Sequence, residues 1–163
     1  KYINDRTILL PGEFFDGQIG YGVVTPLRLA SNNKVVLVNR GWIHEKLRKK
    51  TKRPETLPLG QVVVEGILRG DNRKGYFVPE NEPNNEVWMY VNTKQIATYR
   101  KIDPVPSYCV DQIREPGPYK LPIGATAEIK VRNEHLKYAV TWFLLAATLL
   151  VIYFVYHTQR NEK

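Results

Sequence analysis

Few side chains in this chain could do chemistry. The three histidines are His44, His135 and His157, and the soft ligands are the single Cys109 and the single Met89. Ser31 and Ser107 are the only serines, and neither sits in a nucleophile-elbow context. HExxH, GxSxG and paired-carboxylate signatures are absent, so the chain reads as a non-enzyme. One cysteine can form neither an intrachain disulfide nor a Cys-based cluster, and Cys109 reads as a small buried hydrophobe. One His, one Met and one Cys at scattered positions make no recognisable copper site. His135 and His157 stand 22 residues apart. On one helix that separation is about 33 Å, so they cannot share a metal.

His135 has the most telling neighbours: Arg132, Asn133 and Glu134 before it, then Leu136, Lys137 and Tyr138. Asn133 can cap a helix that begins here, and Glu134 suits the positive end of the helix dipole. That dipole end, Arg132 and Lys137 all disfavour a cationic ring at position 135, and Glu134 partly opposes them. An iron or copper ligand must be a neutral imidazole. At i+3, i+4 and i+7 the same face carries Tyr138, Ala139 and Trp142. A small residue flanked by aromatics could admit a flat macrocycle. The plainer alternative is an interfacial histidine at a helix start, with no ligand.

The element that must position His135 is a membrane span. From residue 138 to residue 156, every residue is apolar except Thr141 and Thr148. Nineteen helical residues rise roughly 29 Å, which matches a hydrocarbon core of about 30 Å. Tyr138, Trp142 and Phe143 near one end, with Tyr153, Phe154 and Tyr156 near the other, form the aromatic belts of the two interfaces. A buried core helix is the alternative, but nothing else in the chain is large enough to surround it. Lys130, Arg132 and Lys137 precede the span and Arg160 and Lys163 follow it, which does not decide its orientation. The expected organisation is an extramembrane domain over 1–131, a span with its cap over 132–157 and a polar tail over 158–163. The chain begins at Lys1 with no legible signal or transit peptide. Further residues upstream are therefore expected, among them a targeting segment or a first span.

The 163 residues carry a net charge of +8. Short Val-, Ile- and Tyr-rich runs separated by Gly, Pro and Asn predict strands at 7–10, 22–29, 35–39, 61–68, 88–92, 108–111 and 126–131. Residues 93–99 predict two helical turns. Eleven Pro and eleven Gly suit a turn-rich sheet. The fold class is mainly β: a small antiparallel sheet or barrel-like domain followed by one C-terminal transmembrane helix. Residues 44–53 hold six cations and one anion. They read as a solvated loop or as a patch facing anionic lipid or an acidic partner. No aromatic platform interleaves the charges, so no nucleic acid is expected.

Several stretches resemble one known family. Arg132, Asn133, Glu134 and His135, running on through Leu136, Lys137 and Tyr138 to Trp142, closely resemble the segment entering the C-terminal span of the Surfeit locus family of cytochrome c oxidase assembly factors. Phe77, Val78, Pro79, Glu80, Asn81, Glu82 and Pro83, followed by Trp88, look like its central loop. Val36, Leu37, Val38, Asn39, Arg40, Gly41 and Trp42 are similar to its strand-and-turn signature, and residues 21–26 to the strand before it. The resemblance implies two spans bracketing a sheet-rich domain, in the mitochondrial inner membrane with the domain in the intermembrane space, or in a bacterial plasma membrane. It implies an assembly chaperone that binds or hands over haem a during maturation of the oxidase catalytic subunit, with that subunit, other assembly factors and membrane lipid as partners. The family's haem-linked histidine falls on His135, which would be the axial ligand of the haem iron. Tyr138 and Trp142 would then flank the ring beside Ala139, Arg132 and Lys137 would meet the propionates, and the farnesyl tail would run past Ala146 and Leu149. The alternative function is an inner-membrane interaction module that binds oxidase subunits without haem.

Overall fold

The computed structural model describes residues 1–71, 74–102, 104–114, 120–126 and 134–161. The chain divides into two compact units, Lys1–Ala127 and Glu128–Lys163.

The first unit is built on a five-stranded mixed sheet. β1 (Ile8–Phe15) and β2 (Gln18–Arg28) form an antiparallel hairpin closed by Asp16 and Gly17, both at positive φ (48° and 72°). An Asp-Gly pair in that conformation matches the twist of the flanking strands. β3 (Val35–His44) pairs antiparallel with β2, in a register that slips between Gly22 and Val24. β4 (Gly66–Gly70) and β5 (Tyr108–Gln112) complete the order β1-β2-β3-β5-β4. β5 runs antiparallel to β4 but parallel to β3, with Leu37 opposite Cys109 and Asn39 opposite Asp111. The mainly β fold is therefore as expected, with one parallel pairing at its centre. A parallel return needs a long crossover, and residues 45–107 provide it.

The first half of β3, residues 35–38, is an uninterrupted apolar run because both its faces are covered. Leu37 and Cys109 pack with Ile8, Leu10, Val24, Trp88, Val91 and Ile96 on one side. Val36 and Val38 pack with Tyr2 and Leu27 on the other, joined by Val62, Val64 and Val110. Ile96 comes from α1 (Thr93–Arg100), the helix expected at 93–99. Asn92 caps it by accepting from the Gln95 amide at 3.0 Å, and Asp71 Oδ1 accepts from the Thr93 amide at 3.1 Å. Two orphan donors of the first turn are thereby satisfied.

Two expected strands differ, and a third is not covered. Residues 88–92 are not a strand, because the Asn81 side chain takes the ladder's place. Its Oδ1 accepts from the Met89 and Tyr90 amides at 2.7 and 3.2 Å, and its Nδ2 donates to the Tyr90 carbonyl and to Gln95 Oε1. This buried amide locks the loop and lets Trp88 enter the core fully buried. In the 61–68 run only Gly66 onward joins the sheet. The 126–131 candidate lies, from residue 127, outside the described residues.

The basic run holds two short 3-10 turns, Glu45–Leu47 and Lys50–Lys52, and a third, Pro54–Thr56, follows it. Lys50 Nζ donates to the Asn4 carbonyl at 2.9 Å, and Arg53 is 1% exposed. Part of the positive charge is thus structural rather than displayed.

The second unit holds α2 (His135–Asn161). Its stretch His135–Thr158, 24 residues with none of the apolar window buried, is long and apolar enough to cross a membrane. The hydroxyls of Thr141 and Thr148 donate to the Lys137 and Leu144 carbonyls at 2.9 and 2.8 Å. No bare hydroxyl in mid-span is left to face hydrocarbon.

Candidate functional site

α2 begins at His135, and the Glu134 carbonyl accepts the first intrahelical bond, from the Tyr138 amide at 3.2 Å. Glu134 therefore holds the cap position. Asn133, the expected cap, and Arg132, the expected partner of an anionic group, lie outside the described residues. His135 is exposed in the first turn, Tyr138 and Trp142 are 66% and 69% exposed, and Ala139 is half-buried.

A helix turns about 100° per residue, so His135, Tyr138, Ala139 and Trp142 fall within one stripe. The stripe continues through Ala146, Leu149, Leu150, Tyr153 and Tyr156. A shallow apolar hollow on α2 is lined by those five residues and Ile152. One face thus carries an imidazole at its head, alanines at 139 and 146, aromatics beside them and an apolar hollow below. Lys137 departs from the expectation. Two residues on, it stands across the helix from His135, and its Nζ pairs with Glu134 at 3.3 Å. At the far end His157 stacks on Tyr153 at 5.8 Å, nearly parallel.

The donor set at this face is one imidazole. Among the described residues no cluster of three His, Cys, Asp or Glu could hold a metal. Cys109 is buried in the sheet, where burial pushes its thiol up to about 12, and it is no ligand in that state. Among the described residues of this face, His135 is the one side chain suited to a metal.

Sequence reasoning missed a second constellation, in the sheet unit. Arg40 sits within β3 yet is only 6% exposed, with its guanidinium carbon 4.6 Å from the centre of the Tyr2 ring. A charge inside an otherwise apolar strand run was the available signal. Beside it, Gly41 adopts φ 105°, and Trp42 and Ile123 exchange backbone hydrogen bonds of 2.9 and 2.8 Å.

A family model described as the SURF1 family matches residues 1–147. A SURF1-like protein of Monosiga brevicollis is 35% identical over 136 residues, covering 83% of this chain and 51% of that protein. A SURF1-like protein of Caenorhabditis elegans is 34% identical over 134 residues, covering 82% and 41%. Surfeit locus protein 1 of Homo sapiens is 36% identical over 141 residues, covering 84% and 45%. The chain spans about half the length of the curated relatives it matches. With matches of this extent to the family model and to animal relatives, the chain belongs to the SURF1 family.

Proposed function

We propose that this chain is a membrane-anchored assembly factor for cytochrome c oxidase, not an enzyme, that holds or hands over haem a as the catalytic subunit matures. In this reading α2 crosses the mitochondrial inner membrane, and the sheet unit works in the intermembrane space. What carries it is the single face of α2 that joins His135 to the hollow at Ala146 and Leu149.

Haem a, when bound, supplies an iron that accepts an imidazole, two carboxylates and a long hydrocarbon tail. The residues of α2 fit those parts. His135 places its imidazole at the head of the span, exposed and in the first turn. Ala139 leaves room where a larger side chain would stand, and Tyr138 and Trp142 wall that room with apolar surface. The hollow below accepts hydrocarbon at the depth of the lipid tails. Arg132 is the remaining cation for a carboxylate, since Lys137 is turned to Glu134.

The test is the Soret spectrum of the whole chain in lipid nanodiscs with haem a, for the parent, His135→Ala and His157→Ala. The ligated band is lost in His135→Ala alone, while helix content and unfolding of the sheet unit stay unchanged. Identical spectra and identical oxidase assembly for His135→Ala and the parent would overturn the haem role. The reading would then become an interaction module that binds oxidase subunits without haem.

A further inference from the structure

The sheet unit contains a cavity of about 280 Å³ that the haem reading does not use. Its walls include Tyr2, Arg40, Gln112, Val62, Val63 and Pro122. Arg40, 94% buried by its 6% exposure, is the unusual member. Its Nη1 donates to the Thr56 carbonyl at 2.6 Å, while its Nε has no partner. Tyr2, whose ring underlies the guanidinium, spends its hydroxyl proton on Gln112 Oε1 at 3.0 Å. Arg53, fully buried alongside, adds a second cation held by Thr56 Oγ1 at 3.2 Å, with its own Nε unpartnered. Among the described residues no carboxylate forms an ion pair with Arg40 or Arg53. A buried cation without a counter-charge costs free energy that an incoming anion recovers. Arg114 and Lys120 also line the cavity, against one acid, Glu55.

The lip of the cavity supplies a second, independent feature. Residues 61–65 alternate out and in as a strand does, with Val62 and Val64 packed on the core and Val63 98% exposed. Yet sheet pairing starts only at Gly66, and the backbone of 61–64 makes no hydrogen bond within the described residues. Strand-like backbone with open donors and acceptors is what an extended peptide pairs with.

We infer that this cavity is a docking site for an extended acidic polypeptide segment. One aspartate or glutamate carboxylate enters and meets the Arg40 guanidinium, while the flanking backbone pairs with residues 61–64. The buried cation selects the carboxylate, and the unpaired run selects an extended chain over a free anion.

Phage display of random dodecapeptides against the whole chain in nanodiscs tests this. The expected winners carry an Asp or Glu at one fixed position with β-branched residues at alternate places around it. Fluorescence anisotropy on the winning peptide then reads its affinity. Replacing its acid by the matching amide weakens binding by about tenfold or more, as loss of a charge-assisted bond requires. Val63→Asp, an exposed change that leaves the fold intact, weakens it by repulsion at the lip, and Val63→Lys does not. Winners without an acid, equal binding of acid and amide peptides, or no winners at all would overturn the proposal. So would free glutarate binding as tightly as the peptide, which would leave a small-anion site only.

Discussion

Replacing Gly41 with alanine adds one carbon atom where the fold has no room. A Cβ there would sit 1.9 Å from the Ile123 carbonyl oxygen and 2.7 Å from the Gly124 Cα, all backbone atoms that cannot rotate away. The φ of 105° adds strain of about 1–3 kcal/mol for any L side chain. Moving the 123–124 backbone aside breaks the two bonds between Trp42 and Ile123, at roughly 0.5–1.5 kcal/mol each. Reduced freedom of the unfolded chain returns about 0.4–1 kcal/mol. The net loss is on the order of 1–6 kcal/mol, a sizeable part of the roughly 5–15 kcal/mol that holds a domain together. At about 2–4 °C per kcal/mol, the melting midpoint falls on the order of 2–20 °C. The assay is thermal unfolding of the whole chain in nanodiscs by near-ultraviolet circular dichroism, with hydrogen exchange at the Trp42 and Ile123 amides. Gly41→Glu, which also adds a charge, should melt lower still. An unchanged midpoint with both amides still protected would refute this account of the turn.

The Cys109 thiol, pushed up to about 12 by burial, should resist iodoacetamide at pH 8 in the native chain and react fully in guanidinium; rapid native labelling would show that β5 opens readily. Tyr2 is raised by burial above its ordinary value near 10, so the folded state keeps its phenol proton when the unfolded chain has released it. Stability is therefore full below pH 10 and falls as pH rises past it. Tyr2→Phe should flatten part of that fall, and an unaltered slope would remove Tyr2 from it. In the basic run, Lys49→Gln with Lys52→Gln should flatten the salt dependence of binding to anionic vesicles without changing stability. Arg53→Gln should instead lower stability, because its guanidinium is packed inside. The same salt response in the double variant would leave the run a solvated loop.

Legibility from the sequence followed the range of the forces involved. The span, α1 and the strands at 22–29 and 35–39 were legible because apolar periodicity is local. The extent of 88–92 was not, because Asn81, from an earlier loop, satisfies those amides and relieves the backbone of any need for a sheet partner. Nor was the parallel insertion of β5, which depends on contacts across the chain from 37 to 109. His135 was found by its neighbours and its place at the helix start, whereas the turn of Lys137 to Glu134 was not visible from spacing alone. Arg40 looked like part of a turn signature. Its burial is a product of the Tyr2 and Thr56 contacts, which lie far away in sequence.

The insertion of β5 between β3 and β4 also sets an order of events during synthesis. β1, β2 and β3 can pair as soon as residue 44 has left the ribosome, by local hairpin closure. β3 then waits, with its edge at Leu37, Val38 and Asn39 unpaired, until residues 108–112 arrive and close a loop of some sixty residues. Non-local closures of that kind are slow, and an open apolar edge is a template for wrong pairing. A nascent chain stalled or cleaved before residue 112 would carry such an edge. Chains that hold β3 but not yet β5 are therefore the species most open to mispairing, and β5 is the segment that ends the exposure.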